Sequence, residues 1–141
     1  MSFGITNAKA KKENIQVDNN LIIFSTDYSQ YGLTIKETNG VITIKGTASQ
    51  VVDKYISFKD AINVNGTYKC ALETENPFTF DYMAIYFANN SNSNVVDFDG
   101  GNPDLEKTKT LSSNVISKLH LYILGGHYID IEFKPVLELV S

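Results

Sequence analysis

The sequence predicts an all-β protein, an antiparallel β-sandwich of the jelly-roll type. Three observations carry this expectation. Short apolar/polar alternations recur along the chain and are separated by turns rich in Asn, Asp and Gly. The dipeptide Asn39-Gly40 stands between two such alternations, 33–36 and 42–45, and Asn-Gly is the strongest short-range hairpin signal. From Leu21 onward no stretch of about ten or more residues carries a helical period.

Residues 1–19 are polar, with a thin apolar face of Ile5, Ala8 and Ile15, and are expected to form a flexible arm or one that docks on a neighbouring subunit. Residues 20–141 then form the β-sandwich domain. Strands are predicted near 21–24, 33–37, 41–48, 55–58, 67–74, 81–88, 95–98, 118–124 and 128–139. Turns are predicted at 39–40, 63–66, 89–94, 99–103 and 125–126. Strand phase assigns Met83, Ile85, Phe87, Leu119, Leu121, Ile123, Ile129, Ile131 and Phe133 to the core. The last two strands are expected to pair with each other through Gly125-Gly126, leaving His120, Tyr122, Asp130 and Glu132 facing away from the core. Pro135 cannot donate to a ladder and marks an edge or a bulge.

A chain of 141 residues, 43% hydrophobic and 20% charged, is large enough for one domain with its own core. All twelve basic residues are Lys and the net charge is −4, so the electrostatic footprint of a nucleic-acid binder is missing. No apolar run reaches the roughly 18–20 residues that cross a bilayer, and no secretory leader is visible at the start. The single Cys70 excludes an internal disulfide and is expected to be a buried structural thiol.

The off-core residues Tyr82, Tyr86, His120, Tyr122 and Tyr128 are candidates for a ligand platform, because a ring with a polar tip can stack on a sugar face and still hydrogen-bond. Ala84 between two tyrosines leaves room for a shallow trough, and Asp130 and Glu132 supply hydroxyl acceptors. The same residues equally suit a subunit interface or an ordinary strand surface, and the chain has no Trp. Asp97, Asp99, Asn102 and Asp104 gather hard oxygen ligands of the kind that hold a structural calcium ion, or that close a turn on the local backbone. The pattern is not an EF-hand. Residues 89–94, Asn-Asn-Ser-Asn-Ser-Asn, are expected to form a solvated hairpin tip. His120 and His127 have no third partner for zinc, and His127 is expected in a turn. No nucleophile elbow, phosphate loop or acid/base pair is evident, so the chain is expected not to be an enzyme.

Several phrases resemble a known family. Gly32, Thr34, Gly40, Ile42, Thr43 and Gly46-Thr47-Ala48 fall on the pattern Gly-x-Thr-x-x-x-x-x-Gly-x-Ile-Thr-x-x-Gly-Thr-Ala, which opens a β-sandwich domain found in tail, baseplate and minor structural proteins of bacteriophages and prophages. Asn65-Gly66-Thr67-Tyr68, the Asp97–Gly101 loop and residues 119–137 are similar to later phrases of that domain. The resemblance spans roughly residues 20–139 and rests on turn and core signatures. It implies a virion protein of the phage tail, made in the bacterial cytoplasm, that contacts other tail proteins and forms a homo-oligomer. The expected function is non-enzymatic adhesion to a host cell-surface carbohydrate. The alternative is a purely structural module that oligomerises or decorates the tail or capsid.

Overall fold

The structure is a computed structural model that describes residues 28–140. The predicted arm at 1–19 and the predicted strand at 21–24 lie outside the described residues. The described residues are all-β and antiparallel, with eight strands: β1 Tyr28–Gln30, β2 Leu33–Thr38, β3 Val41–Thr47, β4 Val52–Glu73, β5 Met83–Asn89, β6 Asn94–Phe98, β7 Glu106–Ile123 and β8 Tyr128–Leu139. They pair in the order β1-β2-β3-β8-β4-β7-β5-β6.

The β2–β3 hairpin forms where the Asn-Gly signal places it. Thr38 pairs with Val41, so Asn39 and Gly40 are the whole loop. Both have positive φ, 51° and 84°, which matches the twist of the flanking strands and is cheapest for these two residue types. The Glu37 carboxylate then accepts the Gly40 N–H at 2.7 Å. Leu33, Ile35, Ile42 and Ile44 point to one side and are buried, as their period of two requires.

One strand joins the two halves of the sheet. Residues 128–133 of β8 pair with β3, whereas residues 134–139 pair with β4. The change of partner falls between Phe133 and Lys134, next to Pro135, a residue that cannot donate to a regular ladder. The largest buried side chains come from both halves, including Phe87, Phe98, Phe133, Leu33, Ile44 and Ile56, and they belong to one cluster. Two faces of one continuous sheet therefore close over a single core, a β-sandwich-like arrangement. Cys70 is buried in it, and burial pushes its thiol pKa up to about 11.

The expected pairing of the last two strands is overturned. The strand expected at 118–124 lies in β7, which pairs with β4 and β5, and the strand expected at 128–139 is β8, which pairs with β3 and β4. The Gly125-Gly126 turn is a crossing between the two halves rather than a hairpin. Gly126 N–H donates to the Ala48 carbonyl at 2.8 Å, and a Cβ on Gly125 would lie 3.0 Å from the Gln50 Cα. Glycine is needed there because the β7–β8 connection lies directly on the β3–β4 connection. The phase assignment itself holds for Leu119, Leu121, Ile123, Ile129 and Phe133, which are buried, with Ile131 half-buried.

Two further differences concern length. The strands expected at 55–58 and 67–74 are parts of the single strand β4, and the expected turn at 63–66 is an irregularity in its pairing between Val64 and Gly66. β7 starts at Glu106, well before the expected 118. Its first half is rich in Lys, Thr and Ser, so no apolar alternation marks it; pairing with residues 66–71 of β4 holds it extended.

Candidate functional site

The outward side of β4, β7, β5 and β6 carries a row of side chains set by cross-strand register. Tyr55 pairs with His120, His120 with Tyr86, and Tyr86 with Asp97. In the adjoining row Asp53 pairs with Tyr122, and Tyr122 with Ala84. Directly opposed residues have side chains close enough to touch, which makes such rows continuous surfaces.

His120 is the centre of this surface. Its ring stacks on Tyr55 with centroids 4.0 Å apart and planes 9° from parallel, and it leans on Tyr86 at 5.2 Å and 30°. Nε2 lies 2.6 Å from the Asp53 carboxylate and Nδ1 lies 2.9 Å from the Asn94 side-chain oxygen. His120 does face away from the core, as its phase requires, yet it is only 7% exposed. Its cover is the two tyrosines and their polar neighbours.

The Tyr86 hydroxyl is held as a phenol. Burial raises its pKa, and the carboxylates of Asp99 and Asp97 raise it further. Tyr122 and Tyr82 remain open to solvent at 38% and 44% exposure. Tyr82 stacks on His127 at 3.6 Å and 3°, at the end of the sheet. Residues 89–94 form the rim of the row. Tyr55 Oη donates to the Asn92 carbonyl at 3.2 Å, and Lys118 Nζ donates to the Asn92 side chain and the Asn90 carbonyl. The loop is itself braced by Asn89, whose Oδ1 accepts the N–H groups of Ser91 and Ser93, both at 2.9 Å.

The structure thus brings together three of the sequence-predicted residues, Tyr86, His120 and Tyr122, with Tyr82 farther along the same side of the sheet. It does not bring Tyr128 and Asp130 to them. Those two lie on the part of β8 paired with β3, opposite Thr47 and Lys45, on the outward side of the other half. Asp53, Tyr55, Asn94 and Lys118 were missed by sequence reasoning. Tyr55 had an available signal: the phase of Ile56 and Phe58 puts it outward in a predicted strand. Asp53 and Asn94 had none, because their roles depend on which strands become neighbours.

In the Asp97–Asp104 segment the side-chain oxygen of Asp99 is engaged locally. Asp99 Oδ1 accepts from Gly101 N–H and from the Asn102 side chain, both at 3.0 Å, and so closes its own turn. The Lys107 ammonium donates to the Asp97 and Asn102 carbonyls and sits 4.4 Å from the centre of the Phe98 ring. Among the described residues no group of three or more His, Cys, Asp or Glu is placed to hold a metal ion. No helix among them is long and apolar enough to cross a membrane.

Both ring nitrogens of His120 have side-chain partners, and its ring lies between those of Tyr55 and Tyr86. What is presented is aromatic surface flanked by carboxylates. Comparison with protein-family models, with curated proteins and with solved structures finds no match to this chain.

Proposed function

We propose that the chain is a non-enzymatic carbohydrate-binding domain of a phage tail, which attaches the particle to glycans of the host cell surface. The observation that carries the binding half of this reading is the row Tyr55–His120–Tyr86 beside the open Tyr122 ring, with Asp53, Asp97 and Asp99 at its margins. Rings of this kind stack on the C–H face of a sugar while nearby carboxylates accept from its hydroxyls. The carboxylates also disfavour anionic sugars on this side, so neutral or amine-bearing units are the expected ligands. The tail half rests on the turn phrases at 32–48, 65–68 and 119–137 that are similar to tail and baseplate domains. The strand order supports the finer jelly-roll reading. With the halves of β4 and β7 taken separately, the neighbours run β3-β8-β4-β7 and β4-β7-β5-β6, as two interleaved Greek keys would give.

A shallow site of this kind binds weakly, and many copies on one particle would convert weak contacts into stable attachment. The test is binding of the protein, displayed in multiple copies, to a glycan array and to host cell walls. Retention of wild type with loss in Tyr86→Ala and Tyr122→Ser is the expected result. Failure of the multivalent wild type to bind any wall or glycan removes the adhesion reading.

A further inference from the structure

We infer that an open groove beside the β5–β6 hairpin is a second binding site, separate from the tyrosine row, for an uncharged and hydroxyl-rich ligand of one or two sugar units. The groove holds about 470 Å³, within the usual size of a small-ligand site. Its walls carry Asn63, Asn65, Asn89, Asn90, Ser113 and Asn114, and no Asp, Glu, Lys or His lines it. An anionic ligand would meet no cation there, and a cationic ligand no carboxylate. A sugar hydroxyl both donates and accepts, and each Asn side chain offers both functions in return. The partly exposed Val115 adds apolar surface for the C–H side of a ring.

The groove follows from a fault in the ladder. Val64 pairs with Asn114 and Gly66 with Leu111, so Asn65 stands against Ser112 and Ser113 outside the regular pairing. Such irregularities re-aim side chains and are frequent beside binding sites. Two amides build the frame: Asn89 braces its loop, and Asn114 Oδ1 accepts the Val115 N–H at 2.8 Å. The side chains of Asn63, Asn65 and Asn90 make no hydrogen bond to another described residue, which leaves their amides for a ligand. Residues 89–94 serve both sites, with Asn89 and Asn90 toward the groove and Asn92 and Asn94 toward the tyrosine row.

The test follows the backbone and side-chain amide resonances of the full chain by NMR during titration with chitotetraose and maltotetraose as neutral probes and tetragalacturonate as the anionic probe. The expected result is saturable movement of the Asn63, Asn65 and Asn90 amides with at least one neutral probe, at a dissociation constant of about 1 mM. Tyr86→Ala should leave that movement intact. Asn63→Ala combined with Asn90→Ala should weaken it about tenfold. Ser113→Trp, which fills the groove and removes no amide, should abolish it with spectral dispersion retained. Groove amides that stay still with both neutral probes at about 10 mM, or that follow tetragalacturonate equally well, overturn the proposal, as does persistence of the movement in Ser113→Trp. Silence in the groove with movement at Tyr86 and Tyr122 would overturn this site alone and leave the tyrosine row standing.

Discussion

On the outward side of β3 and β8, Lys45 and Thr47 stand across from Asp130 and Tyr128, and Tyr128 is 62% exposed. On the outward side of β4, β7 and β5, His120 is 7% exposed. Both surfaces are produced by the same alternation of apolar and polar residues, and both carry aromatic side chains. They differ in what the register brings alongside. Tyr128 faces a short polar Thr and has water on every open side. His120 has Tyr55 across one pairing and Tyr86 across the other, so three rings consolidate and exclude water. Phase decides the side of a sheet; neighbours decide whether that side becomes a built surface.

The largest effect that sharpens this contrast belongs to neither outward face. Phe133 is fully buried where β8 passes from β3 to β4. Phe133→Ala should cost about 3–5 kcal/mol, read from the urea midpoint, and should weaken both halves together. His120→Ala comes next, at about 1–2 kcal/mol, through lost ring packing against Tyr55 and Tyr86. If that variant unfolds at the wild-type urea concentration, the row is a chance juxtaposition and the contrast fails.

Cys70 supplies a pH test of the shared core. Its thiol pKa is raised above the ordinary 9.0 to about 11 by burial, so folding favours the protonated form. The contribution is complete below pH 9, where both states hold the proton, and it is lost as the pH climbs toward 11. A native thiol that reacts with iodoacetamide at pH 8 as fast as the unfolded chain would contradict the burial.

The smallest stability effects should separate the two outward faces by function. Tyr128→Ala and Asp130→Asn should each shift stability by less than about 0.5 kcal/mol and leave glycan retention unchanged. Tyr122→Ser should be similarly mild in a melt yet reduce retention. Equal loss of binding from Tyr128→Ala would place the ligand on the wrong half and break the comparison.

Much of the fold is local and was legible. Asn39-Gly40 specifies a two-residue turn because both residues tolerate positive φ, and period-two burial at 33–35, 42–44 and 119–123 follows from the pleat. The first half of β7 was illegible because its extended form is imposed by β4 and not by its own apolar pattern. The candidate site divides along the same line. Tyr86, His120 and Tyr122 could be placed outward from phase alone, since a one-residue slip would carry them into the core. That Tyr128 and Asp130 belong elsewhere, that Tyr55 completes the stack and that Asp53 and Asn94 take the two imidazole nitrogens were decided only in three dimensions. The physical reason is that Gly125-Gly126 carries the chain across to the other half instead of back along the same one, and no propensity of the residues on either side encodes which partner a strand meets there.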